Sequence, residues 1–337
     1  MAKTTKIPFQ SLIDALLNPE APLPPMYVYR LSDIEAADMA MLQEAWPNIP
    51  SWRRKALMEE IEELGETDSL LSFETVARFA LGDQTPEVRL PAIRAMWEYE
   101  NEALIPRFLE MLENDASIEV RAAAASALGK YVYLGEVEDI SLAALKRVED
   151  ALLRILEGQE DELVRRRALE SLGFSSRPEL TKLIETAYAS TNNQWLISAL
   201  LAMGRSAHER WHGQVLAKLD DKFPEVRAEA ARAAGELEIH DARAVLLEML
   251  EDPDPNAREA SIWALSQIGG EGVREALEAM YERTQDEEEA DYIDTALDNL
   301  SFTEDMQLFA LMDIPEEEDL EDREEAELFE DDEDSED

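Results

Sequence analysis

The sequence predicts an all-α fold, an α-solenoid built as a superhelical array of about seven to eight helix pairs. Three observations lead there. The stretch Pro224–Arg283 states one unit twice, each time as a Pro-x-x-Arg turn, an Ala-rich helix, a short break and a second amphipathic helix. The distance between the two anchor arginines, Arg227 and Arg258, is 31 residues, and similar distances recur along the chain. Within the Ala-rich helices apolar residues keep a 3.6-residue spacing, as in Val226, Ala230, Ala233, Ala234 and Leu237. A fixed period of this size belongs to stacked repeats that each pack only on their neighbours.

Residues 1–48 do not follow the repeat and are expected to form an N-terminal helical cap with a Pro-rich connector. Ile7-Pro8-Phe9 leads into the amphipathic SLIDALLN, which Pro19 closes. The run Pro19–Pro25 is rich in proline and reads as extended, because proline fixes φ and carries no N–H. Ser32 or Asp33 is the expected N-cap of the next helix, which Trp46-Pro47 ends. A segment of different composition is what the first repeat needs to cover its apolar face.

Residues 49–312 are the predicted array. Its copies align on Arg54, Arg89, Arg121, Arg165, the pair Trp195-Leu196, Arg227 and Arg258. A last copy around Tyr292–Leu300 keeps the apolar spacing without the arginine. The step from Arg121 to Arg165 is 44 residues and holds an insertion near 130–148, expected in a loop on one face. First helices repeat the stripe with larger side chains, such as Val245, Leu246, Met249 and Leu250. An acid stands six positions before the arginine in four copies, as Asp83, Asp115, Asp221 and Asp252, and Glu160 and Asp161 lie close by in the Arg165 copy. A short Asp in the inter-helix turn caps the next helix, and the arginine reaches an acid of its own or the adjacent repeat. The expected role of these charges is a structural ladder through the stack.

Together these features resemble the HEAT repeat family, in its short HEAT-like subtype first named after phycobilin lyases. The pattern D-x-x-P-x-V-R-x-x-A-x-x-A-L-G is matched closely at Asp115–Gly129 and Asp221–Gly235, and with departures at Asp83–Trp97 and Asp252–Ser266. The resemblance covers about residues 50–300. It implies the fold; it does not imply an activity, because such arrays serve enzymes, transport factors and scaffolds.

Charge narrows the function. The net charge is −46, which opposes binding to nucleic-acid backbones or anionic membranes and permits a protein partner with a basic surface. Residues 313–337 hold 17 acids and one arginine and are expected to be a disordered acidic tail, which holds a basic partner, folds back on the Arg-bearing face or only solubilises the chain. There is no cysteine, so disulfides, thiolate metal sites and a Cys nucleophile are excluded. No signal-peptide pattern and no run of apolar residues long enough for a membrane span is seen, and the expected location is the cytoplasm.

Two sets of residues are candidates for function. His208-Glu209-Arg210-Trp211-His212 is formally H-E-x-x-H, a zinc pattern when both histidines lie on one helix. Against it, Arg210 intrudes in the motif, and His212 aligns with Arg243 on a face expected to be solvated, with Trp211 and Val215 in the core. No catalytic residue, metal or cofactor is therefore expected, with His208, Glu209 and His212 kept as the weak metal candidate. Deoxyhypusine hydroxylase is built on similar repeats and uses several His-Glu pairs; this chain has one. The second set lies on the second helices, which in the family resembled line the concave face. Arg94, Arg166, Arg167, Arg205 and Arg232 occupy non-core positions there, beside Trp97, Phe174, Leu201 and Trp263. Arginine with aromatics is the composition of protein-binding hot spots. The expected function is a non-catalytic scaffold or adaptor, chaperone-like for a basic protein partner. The alternative is a metal-dependent hydrolase or chromophore lyase on the same scaffold.

Overall fold

The computed structural model describes residues 7–311, with side chains to residue 302. The acidic segment 313–337 lies outside the described residues. Helices follow one another as α1 Phe9–Leu17, α2 Ala36–Ala45, α3 Ser51–Thr67, α4 Glu74–Ala80, α5 Pro86–Arg94, α6 Ile105–Asn114, α7 Ile118–Glu136, α8 Leu142–Glu157, α9 Glu162–Leu172, α10 Glu179–Tyr188, α11 Asn193–Arg205, α12 His212–Leu216, α13 Pro224–Glu236, α14 Arg243–Met249, α15 Pro255–Ile268, α16 Val273–Arg283 and α17 Glu287–Leu311. The fold is an all-α solenoid, and no strand occurs among the described residues.

Two compact units divide the chain, Met1–Glu209 and Arg210–Asp337. In the first, α4/α5, α6/α7, α8/α9 and α10/α11 are helix pairs, and the second helices α3, α5, α7, α9 and α11 pack one on the next. In the second, α12/α13, α14/α15 and α16/α17 are pairs, with α13, α15 and α17 stacked in the same manner.

Local chemistry explains where each helix starts. Pro86, Pro224 and Pro255 stand at the first position of α5, α13 and α15, where an N–H would have no intrahelical partner. Elsewhere a side chain caps: Ser117 Oγ accepts from Val120 N (3.3 Å), Ser141 Oγ from Ala144 N (3.2 Å) and Asn192 Oδ1 from Gln194 N (2.9 Å). Most of the predicted stripe is core: Val226, Ala230, Ala233 and Ala234 are buried, as are Leu246, Met249 and Leu250, while Leu237 and Val245 are half-buried. Small residues in α13 and α15 bring their backbones close.

Two expectations change. Neither Ser32 nor Asp33 caps α2; its N-cap position is Glu35. Asp33 instead takes a positive φ of 47° and donates its N–H to Ser72 O (2.8 Å), while Ser32 Oγ accepts from Ser72 N (3.0 Å). These two residues tie the cap segment to the α3–α4 connection, an attachment no local pattern announces. The insertion near 130–148 is not a loop. It lengthens α7 to 19 residues and α8 to 16, joined by a short turn. Tyr131, Val132, Leu134 and Leu145 are buried in these extensions, so the added length has apolar surface of its own to bury.

Among the described residues no helix is long and apolar enough to cross a membrane.

Candidate functional site

The recurring charges sort first. Arg54 Nε lies 2.9 Å from Asp83 Oδ2, Arg89 Nη2 2.6 Å from Asp115 Oδ1 and Arg121 Nη2 2.9 Å from Glu160 Oε1, each arginine reaching the acid of the following repeat. In the second unit Arg227 reaches Asp252, and Arg258 lies 3.2 Å from Glu289. Four arginines also bond back to their own turn: Arg89 to Asp83 O (2.7 Å), Arg121 to Asp115 O (2.8 Å), Arg227 to Asp221 O (2.9 Å) and Arg258 to Asp252 O (3.0 Å). The acids meanwhile cap the turn, accepting from Thr85 N, Ser117 N, Phe223 N and Asp254 N. Hydrogen bonds from Arg227 hold the Asp252 carboxyl below the usual range, and Arg121 does the same for Glu160. Each of these five rungs is used by the fold.

The aromatic candidates behave differently. Trp97 follows α5, Tyr133 lies near the end of α7, Phe174 follows α9, and Arg205 ends α11. These are the C-terminal ends of successive second helices, so their side chains share one edge of the first unit. A groove of about 450 Å³ runs there, lined by Trp97, Glu98, Glu100, Lys130, Tyr133 and Phe174. Trp97 and Tyr133 are half exposed, at 51% and 50%. The Tyr133 and Phe174 rings meet edge to face at 5.5 Å. Cations already lie on two of the rings, with Lys130 Nζ 5.7 Å from the Trp97 centroid and the Arg205 guanidinium 4.9 Å from that of Phe174. Lys130 also donates to the Trp97 carbonyl and lies 3.4 Å from Glu100. Glu98 is exposed on the groove wall.

The predicted binding residues therefore divide. Trp97 and Phe174 line this groove, and Arg205 lies over the Phe174 ring. Arg94 is exposed but paired with Glu62 through Nε and Nη2, which raises its pKa. Arg167 bonds the buried Glu170 (2.5 Å), whose other oxygen accepts from Ser198 Oγ (2.6 Å). Arg166 and Leu201 are half-buried, and Arg166 Nε has no hydrogen-bond partner. In the second unit Arg232 is 3.4 Å from Glu229, and Trp263 is half-buried with its ring against Gly235. Tyr133 and Lys130 were absent from the sequence candidates, since they fall in the lengthened part of α7, where the repeat alignment gives no register.

His208, Glu209 and His212 do not share an α-helix. Glu209–Trp211 is a 3₁₀ turn and α12 begins at His212, as α14 begins at Arg243 after the 3₁₀ turn His240–Ala242. The alignment of His212 with Arg243 thus holds, and Trp211 and Val215 are buried as expected. His212 is half-buried rather than solvated, its Nε2 shielded and without a hydrogen-bond partner. His208 and Glu209 are exposed. Among the described residues no group of three or more His, Cys, Asp or Glu is placed to hold a metal ion.

A family model described as HEAT repeats matches residues 74–148 and 214–298. No curated protein matches the sequence. Among solved structures, the complex of CpcE and CpcF of phycocyanin lyase from Nostoc sp. PCC7120 is similar at 17% identity and a TM-score of 0.52, covering 84% of this chain and 97% of that chain. Human deoxyhypusine hydroxylase is matched at 20% identity and a TM-score of 0.35 (77% and 95% covered). Importin beta is matched at 13% identity and a TM-score of 0.37 (88% and 51% covered). At 17% identity the likeness to the CpcE–CpcF complex is one of fold.

Proposed function

This chain is a HEAT-repeat protein, and from that premise we propose that it is a non-catalytic scaffold or adaptor that binds a protein partner with a basic surface. The observation that carries the reading is the aromatic row of the exposed Trp97 and Tyr133 and the half-buried Phe174. Rings left half in water on a rigid helical layer are the anchors of protein interfaces. Their faces suit cations, as Lys130 and Arg205 on two of them illustrate. Glu98 on the groove wall and a net charge of −46 favour a Lys- or Arg-bearing segment. Shielding of that segment, chaperone-fashion, in the cytoplasm is the fuller form of the proposal, with the acidic residues 313–337 as a second contact.

Affinity purification tests it. The full chain, a Trp97→Ala/Tyr133→Ala variant and a chain lacking residues 313–337 serve as baits. A basic protein retained by the full chain, released by salt and lost from the aromatic double variant supports the reading. Equal retention by the folded double variant refutes it. For the enzymatic alternative the decisive measurement is elemental analysis. Stoichiometric zinc that disappears on replacing His208 and His212 favours a metal-dependent hydrolase over a scaffold.

A further inference from the structure

The Arg–acid ladder changes chemistry at one place in the first unit. The ladder acid expected beside Arg165 is replaced by Ser190. Ser190 keeps the acid's local task, since its Oγ accepts from the N–H two residues on, Asn192 (3.1 Å), as Asp83, Asp115, Asp221 and Asp252 do in their turns. It brings no carboxylate to the preceding repeat. Arg165 Nε donates to Leu156 O (2.9 Å) and the guanidinium lies 5.5 Å from the Trp195 ring. Among the described residues no carboxylate pairs with Arg165, whereas Arg54, Arg89, Arg121, Arg227 and Arg258 each have one.

Around it is an open groove of about 270 Å³ with Leu156, Glu157, Leu183, Thr186, Ser190 and Trp195 in its walls, Glu157 being exposed and not paired with Arg165. Leu183, Ser190 and Trp195 are half-buried and Thr186 is exposed, so this surface is accessible. A guanidinium with unused donors, an aromatic plate, two hydroxyls and apolar walls form a receptor for a carboxylate beside an apolar side chain. The other rungs show within the same molecule what such an arginine accepts.

We infer that this groove binds a partner protein's peptide segment in which an Asp or Glu side chain, flanked by a leucine-like residue, takes the ladder position in front of Arg165. The site is separate from the aromatic groove. Arg165 lies in the first turn of α9 and Phe174 just past its end, roughly 14 Å apart along the helix axis at 1.5 Å per residue. A partner engaging both would meet contacts of opposite charge preference, which selects orientation as well as identity.

The test is an NMR titration of the full chain with acetyl-Gly-Leu-Asp-Leu-Gly-amide, following the Trp195 indole N–H, assigned with Trp195→Phe. A saturating shift is expected, weaker by roughly tenfold for the Asn-containing peptide and for Arg165→Gln. Ser190→Asp supplies the carboxylate from within. It is expected to raise the unfolding midpoint by roughly 1–3 °C and to abolish the peptide-induced shift. Equal binding of the Asp and Asn peptides, or unchanged binding by Ser190→Asp, overturns the inference. So does a Trp195 signal that moves, without peptide, on removal of residues 313–337, because the occupant is then this chain's own acidic segment.

Discussion

Arg227 and Asp252 meet in a two-pronged ion pair, Nε to Oδ2 and Nη2 to Oδ1 both at 2.7 Å, across consecutive repeats. Asp252 is at the same time the turn cap, accepting from Asp254 N (2.9 Å). Two substitutions separate these roles. Asp252→Asn keeps an oxygen for the cap and removes the charge pair, and is expected to cost about 1–2 kcal/mol. Asp252→Ala removes both and is expected to cost about 1 kcal/mol more. Urea unfolding measures both; equal losses would mean the cap contributes nothing.

The pH dependence has two opposed parts. Asp252 and Glu160 are held below their ordinary values by arginine hydrogen bonds. Their stabilisation is whole above the unfolded pKa of about 4 and is lost as pH falls through the folded value. Glu149 goes the other way. Burial raises it, against a hydrogen bond from Ser175 and the charge of Arg177. Between its unfolded value of about 4.3 and its raised folded value, the folded state binds more protons, so stability falls as pH rises. Glu149→Gln removes that loss. Its stability relative to the parent chain is expected to be higher at pH 7 than at pH 4 in parallel denaturant titrations, and the reverse order would refute the assignment.

The repeat was legible because the fold reuses one solution. Val226 and Ala230 are core, and Arg227 stands at the rung, for reasons that hold in most copies, so the copies identify each other's core and ladder. What departs from the repeat was not legible. Glu289 partners Arg258 from within the first turn of α17, whereas Asp286, which caps Glu288 N, holds the turn position. Tyr133 is exposed and its neighbours Val132 and Leu134 are buried; a 3.6-residue stripe continued past its template does not say where the groove wall falls. Arg94 and Arg232 read as binding residues because sequence shows a cation without its partner, and Glu62 and Glu229 supply one.

Gly235 offers a test of close helix approach. In a helix interior Gly→Ala ordinarily stabilises by about 0.5–1 kcal/mol. A Cβ at Gly235 lies 2.6 Å from Trp263 Cζ3 and 2.9 Å from Ala264 Cα, in α15. The ring is able to turn; the backbone is held by packing. Overpacking of this kind costs about 1–3 kcal/mol, so Gly235→Ala is expected to destabilise by about 1–2 kcal/mol net. Gly213→Ala is the control, with nothing within 4 Å of an added Cβ. Thermal unfolding of the two variants should shift in opposite directions or leave Gly213→Ala unchanged.

Asp83 closes the ladder at its N-terminal end and ties the cap segment to the array. Its carboxylate accepts from Trp46 Nε1 (2.6 Å) and from Thr85 N (2.8 Å), and pairs with Arg54 Nε (2.9 Å). The Asp83 side chain is 2% exposed, so water does not replace these partners when it is removed. Asp83→Ala leaves the Trp46 indole N–H without its acceptor and the half-buried Arg54 without its carboxylate, although Arg54 still donates to Trp46 O, Ile49 O and Thr85 Oγ1, and is expected to cost about 2–3 kcal/mol. Trp46→Phe keeps the ion pair and an aromatic ring but removes the indole N–H and part of the buried ring volume, and is expected to cost about 1–2 kcal/mol. Because each repeat packs only on its neighbours, the damage should be local. Hydrogen exchange in Asp83→Ala should accelerate in α1–α3 well beyond α7–α9, and uniform acceleration across the unit would show that the rung stabilises the array as a whole rather than its capped end.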